Sequence, residues 1–173
     1  MAKRVDFGKL SVQDAYDLAI LVEDEARERY EEFVEQLELH HTPEAAEFFR
    51  QMVVNETKHG ESLAVRRKER FGSAPAVVTR DMLWDVEAPE YDQVRTFMSV
   101  RQALEVALAA EIKAYEFFGA ALAQIADPEI RTLFAELREE EQKHQGMVRG
   151  ILAKVPPDSG DSADLHADPP VAH

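Results

Sequence analysis

Two stretches of this chain, 85 residues apart, carry the same residues in the same order. Pro43, Glu44, Phe49, Glu56, Lys58 and His59 recur as Pro128, Glu129, Phe134, Glu141, Lys143 and His144. A second pair repeats at a shift of 88, where Glu23 and Ala26 return as Glu111 and Ala114. A duplicated unit hides its apolar face against its own copy, which leaves few architectures open. The apolar residues in each copy recur at steps of three and four, the period of a helix. The expected fold is therefore all-α, a duplicated helical hairpin.

The ends of the helices are written in the punctuation. Ser11 caps a helix expected to run to about Leu39. Thr42 followed by Pro43 opens a second, to about Arg70, with the threonine as N-cap and the proline at the first helical position. Ser99 with Gln102 has the form of a capping box and opens a third helix to about Ala126. Asp127-Pro128-Glu129 repeats the cap–proline–acid device and opens a fourth, which stops before Pro156-Pro157. Each helix then has roughly 27 residues and a length of about 40 Å. Short connections make the first and second helices, and the third and fourth, antiparallel hairpins. The segment from Phe71 to Met98, with Pro75, Trp84 and Pro89, is long enough to cross the whole bundle between them. A chain of 173 residues suits one core, expected over residues 1–155. Residues 156–173, rich in Pro, Asp and Ser, read as a disordered acidic tail.

Followed along its inward stripe, each helix is apolar except near its middle. The stripes are Val12, Tyr16, Ala19, Glu23, Ala26, Tyr30, Phe33, Leu37; Ala45, Phe49, Met52, Glu56, His59, Leu63; Val100, Leu104, Ala107, Glu111, Ala114, Phe118, Ala121, Ile125; and Ile130, Phe134, Leu137, Glu141, His144, Val148, Ile151. Glu23, Glu56, Glu111 and Glu141 all lie about 12 or 13 residues from their helix starts, so in antiparallel helices of equal length they share one level. Four carboxylates and two imidazoles should converge in a single central layer. Without counter-charge, desolvation and mutual repulsion of the carboxylates would exceed the stability of an ordinary domain. Two divalent ions cancel four carboxylates and leave two neutral imidazoles as end ligands. One Glu from each of two helices and Glu-x-x-His from each of the others is the donor set of ferritin-like di-iron and di-manganese four-helix bundles. Glu23, Glu56, His59, Glu111, Glu141 and His144 are the expected metal ligands.

Composition narrows the ion and the partners. The absence of cysteine excludes thiolate zinc, iron–sulfur clusters, disulfides and thiol nucleophiles. An oxygen-rich site with two nitrogens favours iron or manganese over zinc or copper. With 34 acidic against 20 basic residues and a net charge of -14, the field repels nucleic acid and anionic lipid and attracts cations. No apolar run approaches a signal sequence or a membrane span, so the expected compartment is the cytoplasm. The competing reading is a bundle whose polar layer is a solvated flaw or an internal salt-bridge cluster. Glu25, Glu28, Glu31, Glu32, Glu61 and Glu139 fall outside the stripes and are expected on solvated faces. His40 and His41 fall in the first loop, His166 and His173 in the tail.

The motifs resemble the rubrerythrin branch of the ferritin-like superfamily over residues from about 11 to 154. Glu23-Asp24-Glu25-Ala26-Arg27-Glu28-Arg29-Tyr30 is similar to that family's Glu-x-x-Ala-Arg-x-Arg-Tyr signature, and Glu56-Thr57-Lys58-His59 and Glu141-Gln142-Lys143-His144 to its two Glu-x-x-His elements. The resemblance implies two iron ions per chain, with manganese as the alternative metal, and two bridging glutamates. It also implies that Asn55 or Glu140, each preceding a Glu of Glu-x-x-His, orients a ligand histidine of the facing helix. Tyr30 would lie near the metals in a redox or hydrogen-bonding role; its repeat counterpart is Phe118.

Two departures stand out. Where rubrerythrins place a further glutamate one turn after the third-helix ligand, this chain has Ala114, and the cysteine-rich rubredoxin domain that supplies electrons is missing. Thr57 stands where bacterioferritin has its haem-binding methionine, so no haem is expected. The implied activity is a di-iron oxidoreductase, of ferroxidase or peroxidase type, that reacts with O2 or hydrogen peroxide. Its expected partners are that oxidant, a separate electron-donor protein and a second copy of the chain. The alternative is a non-catalytic iron-binding or iron-transfer protein.

Overall fold

The computed structural model describes residues 5–39, 42–82 and 98–158. Four helices carry the fold: α1, Val12–Leu39; α2, Pro43–Phe71; α3, Val100–Leu122; and α4, Pro128–Leu152. No strand occurs among the described residues. The helices pack as two close hairpins, α1 on α2 and α3 on α4, which face each other to make a four-helix bundle. Of the connection between the hairpins, Gly72–Met82 is described; Trp84 and Pro89 lie outside the described residues, as do His40, His41, His166 and His173.

The caps decide where the helices begin. The Ser11 hydroxyl oxygen accepts from the Asp14 backbone N–H at 3.1 Å. The Ser99 capping box is complete: Gln102 N–H donates to the Ser99 hydroxyl, and the Gln102 side chain accepts from the Ser99 N–H. At the start of α4 the Asp127 carboxylate accepts from the N–H groups of Glu129 and Ile130, at 2.8 and 3.1 Å. Thr42 departs from the predicted pattern. Its hydroxyl caps nothing and instead donates to the Leu37 carbonyl at 3.0 Å, tying the start of α2 to the last turn of α1. Asp127→Ala should therefore cost about 1 kcal/mol, roughly 2–4 °C in melting temperature for a domain of this size. Thr42→Ala, its counterpart in the repeat, is expected to cost less, because it strips no helix N–H of its acceptor. Thermal melts of the two variants check the contrast.

The end of α3 corrects the sequence reading. α3 stops at Leu122 rather than Ala126, because Arg131 from α4 donates to the Leu122 and Ile125 carbonyls at 2.7 and 2.9 Å and so satisfies a shorter end. α4 stops at Leu152, where Arg101 of α3 reaches the carbonyls of Leu152, Val155 and Pro156. Pro156–Asp158, read as the start of a disordered tail, are held by that arginine and by the Ser99 hydroxyl, which donates to Asp158; residues 159–173 lie outside the described residues.

The buried side chains follow the predicted stripes, with Val12 and Val100 only half-buried and Ile151 exposed near the frayed ends. The core comes in two parts. One gathers Tyr16, Leu18, Val22, Leu63, Phe118 and Phe134; the other gathers Tyr30, Phe33, Leu37, Phe49, Met52 and Met98. Between them lie Glu23, Glu56, Glu111 and Glu141, each 1% exposed. The boundary falls between Val22 and Ala26 on α1 and between Met52 and Leu63 on α2, so the polar layer divides the apolar interior across its width.

The start of the crossover is tied to α1. Arg67 of α2 bonds both oxygens of Asp17, at 2.8 and 3.2 Å, and the carbonyls of Gly72 and Ala74. Arg80 makes a two-point bond to Glu28, at 2.6 and 2.7 Å. Glu25 and Glu28, expected on a solvated face, are half-buried, and Glu28 is held by this strap. Burial pushes the Glu25 carboxyl up, and the Arg80 hydrogen bond holds that of Glu28 down. Glu31, Glu32, Glu61 and Glu139 are exposed.

Candidate metal centre

All six sequence-predicted ligands meet at the level where the core divides. One ligand atom from each of Glu23, Glu56 and His59 lies within 4.8 Å of the others, and the same holds for Glu56, Glu111 and His144. The two clusters share Glu56, and the rings of His59 and His144 stack between α2 and α4 at 5.0 Å, 6° from parallel. Glu141 belongs to neither cluster but stands in the same layer, its carboxylate 3.8 Å from Nδ1 of His144.

Helix geometry explains the convergence. Glu56 and His59, like Glu141 and His144, are three residues apart, which puts both side chains on one face a turn apart. Glu23 and Glu111 come from the middles of α1 and α3, where small residues, Ala26 and Ala114, keep the next turn narrow.

The supporting hydrogen bonds are unequal. Glu111 accepts from the Tyr30 hydroxyl at 3.1 Å and lies 3.2 Å from His144 Nδ1. Gln145, whose amide donates to the Glu111 backbone carbonyl at 3.2 Å, is itself held by Arg149. The sequence reading missed Gln145; its signal was its place one turn after Glu141, on the inward side. Of the two predicted orienting residues, Glu140 faces His59, with its Oε2 3.8 Å from Nε2. Asn55 instead accepts from Gln51 on its own helix at 3.4 Å. Tyr30 stacks on Phe49 at 5.5 Å, which fixes the ring that carries its hydroxyl.

Glu56 is the group that most needs a cation. Both its oxygens are buried, and among the described residues no hydrogen-bond donor reaches either. Burial pushes its carboxyl well above the ordinary value, and the charges of Glu23 and Glu111 push it further. Burial also acts on Glu111, but the hydrogen bonds from His144, Glu141 and Tyr30 outweigh it and hold the carboxyl below the usual value. Burial opposes a charge on His144 as well, yet Glu111 and Glu56 hold its imidazole above normal. His59 is pushed below normal by burial and by His144, while Lys143 holds Glu140 low and ionised. His59 Nδ1 is buried and unbonded, facing the layer. Donor atoms with unused lone pairs, aimed inward from two clusters that share a carboxylate, fit a pair of hard or borderline cations.

Fold and site together define a ferritin-like carboxylate–histidine bundle. A family model for rubrerythrin matches residues 14–152, and the chain belongs to the rubrerythrin family. Membership implies a di-iron carboxylate centre, and the two clusters are the groups that could hold it. No curated protein matches the chain. Among solved structures, an uncharacterized conserved protein from Magnetospirillum magnetotacticum MS-1 is similar, at 30% identity and a TM-score of 0.67, over 87% of this chain and 99% of that one. No helix among the described residues is long and apolar enough to cross a membrane.

Proposed function

We propose that the chain is a dinuclear iron oxidoreductase that reacts with O2 or hydrogen peroxide, drawing electrons from a separate donor protein. The observation that carries this reading is Glu56, a buried carboxylate without a donor on either oxygen, shared by two three-residue clusters. An iron pair, when bound, supplies the two electrons that reduce the oxidant. Glu56 would hold both ions, Glu23 with His59 and Glu111 with His144 would complete the two ends, and Glu141 would close the second end from the same layer. Tyr30 fixes the direction of one Glu111 oxygen and can pass a proton along that bond. Apolar clusters flank the layer above and below. Ala114, fully buried on the turn after Glu111, offers no carboxylate where the family's further glutamate would stand. That favours an oxidase or ferroxidase over a peroxidase. None of these 173 residues is a cysteine, so they hold no thiolate-ligated redox centre that could supply the electrons.

A second reading, uptake and transfer of Fe2+ without turnover, has its own support in the partial exposure of His59. Anaerobic Fe2+ loading, followed by O2 or hydrogen peroxide in turn with a reductant present, separates the two. Repeated oxidation supports the enzyme; a single stoichiometric oxidation supports transfer. Ala114→Glu is expected to shift the preference from O2 towards peroxide. A wild type that already reduces peroxide much faster than O2, unchanged by the substitution, would remove Ala114 from the argument. Manganese in place of iron would be read by elemental analysis of the protein as purified.

A further inference from the structure

The sequence repeat would make the two clusters equivalent, and the structure makes them unequal. Glu56, Glu111 and His144 are all buried, His144 to 3% exposure, and Glu111 is tied by Tyr30, by His144 and through its backbone by Gln145. In the other cluster the His59 side chain is 26% exposed. Its two nitrogens face opposite ways: Nδ1 lies 3.8 Å from Glu23 Oε2 inside, and Nε2 lies 3.8 Å from Glu140 Oε2 outside. Glu140 is 37% exposed, with its other oxygen 2.6 Å from the Lys143 ammonium. In the repeat, the place of Glu140 is taken by Asn55, which bonds along its own helix. Among the described residues, a continuous file of carboxylate, imidazole and carboxylate therefore runs from solvent to the layer on the His59 side and not on the His144 side.

We infer that Glu23, Glu56 and His59 form an exchangeable cation position reached through Glu140, and that Glu56, Glu111 and His144 hold a resident ion. This rests on the dinuclear reading above. A divalent ion sheds its waters one at a time and needs a protein donor for each one lost. Glu140 Oε2 and His59 Nε2 offer two donors at the surface, and rotation of the imidazole about its Cβ–Cγ bond turns it towards Glu23 and Glu56. Lys143 competes for Glu140, which keeps the outer pair a passage rather than a trap. An ion at the buried cluster has no such file beside it; its release requires parting Glu111 from three partners.

The test is release from anaerobic protein loaded with two Fe2+ per chain and mixed with excess ferrous chelator. Two phases of equal amplitude are expected, separated by about tenfold or more in rate, the scale on which supporting groups alter metal binding. Glu140→Ala should slow the fast phase and the uptake of the second ion severalfold and leave the slow phase unchanged. Glu139→Ala, which removes the same charge from an exposed neighbour, should alter neither. His59→Ala should retain one ion, released at the slow rate. One phase for both ions, or Glu139 and Glu140 variants that behave alike, would overturn the inference. If a variant melts abnormally by circular dichroism, the wild-type time course decides alone. Failure of the dinuclear reading looks different, since the wild type would then bind one ion or none.

Discussion

Glu56→Ala should strip the protein of both metal ions, taking elemental analysis from close to two divalent ions per chain to near none. The structure singles out this residue because both clusters share it and, among the described residues, neither of its oxygens has a hydrogen-bond donor. The charge balance leads to the same count. Four buried carboxylates require about +4 in a medium where an unpaired charge costs several kcal/mol, and two divalent ions supply it. Without Glu56, one end keeps only Glu23 and His59, the other keeps Glu111 and His144 with Glu141 beyond the cluster, and no carboxylate is left for the two ions to share. Glu61→Ala, on an exposed face of the same helix, should leave the content at two. A Glu56→Ala protein that still carries two ions would sink the shared-carboxylate reading, and wild-type protein with a single ion would sink the dinuclear centre.

Metal removal should have the next largest effect, and its size should depend on pH. At a free ion concentration a hundredfold above the dissociation constant, each bound ion adds about 2.7 kcal/mol, or roughly 5–10 °C in melting temperature for a domain of this size. In the apo protein Glu56 has a folded pKa well above the unfolded value of 4.5, through burial first and then through Glu23 and Glu111. Its contribution to stability is fully present below the unfolded pKa and is lost as pH rises through the folded one. His144, raised from 6.5, acts in the same sense at higher pH. His59, lowered from 6.5, acts in the opposite sense, costing stability as pH falls below 6.5. Glu111, lowered, contributes fully above pH 4.5 and so changes little across the neutral range. Glu56 carries the largest of these shifts, so the apo protein should melt progressively lower from about pH 5 to 8, and the gap to the loaded protein should widen. Equal melting temperatures for apo and loaded protein across that range would mean that the layer is solvated.

The reading of the chain succeeded where the physics is local. Ser99 with Gln102 and Asp127 with Pro128 mark helix starts because a cap is a bond between residues two or three apart. It failed at Thr42, which has the same cap–proline pattern, because the packing of α2 on α1 brings the Leu37 carbonyl within reach of the hydroxyl. It failed again at Leu122, where an arginine from the next helix, not the α3 sequence, sets the end. Glu25 reads as a surface acid from its place on α1, and the structure leaves it half-buried within the field of Arg80 from the crossover.

The sequence by itself determined the number and order of the helices and the level of the polar layer. Rise per residue is constant along a helix, so the depth of Glu23, Glu56, Glu111 and Glu141 is arithmetic once the starts are known. Only the tertiary structure decided which of the two Glu-x-x-His elements is sealed, that Glu56 serves both clusters, and that Glu140 rather than Asn55 meets a histidine. These depend on how two hairpins, each tightly packed within itself, close on one another. A repeat that is symmetric in sequence need not close symmetrically, because exposure is set by whatever the facing helix brings to the same level, and at His59 that is a half-exposed carboxylate rather than a covering side chain.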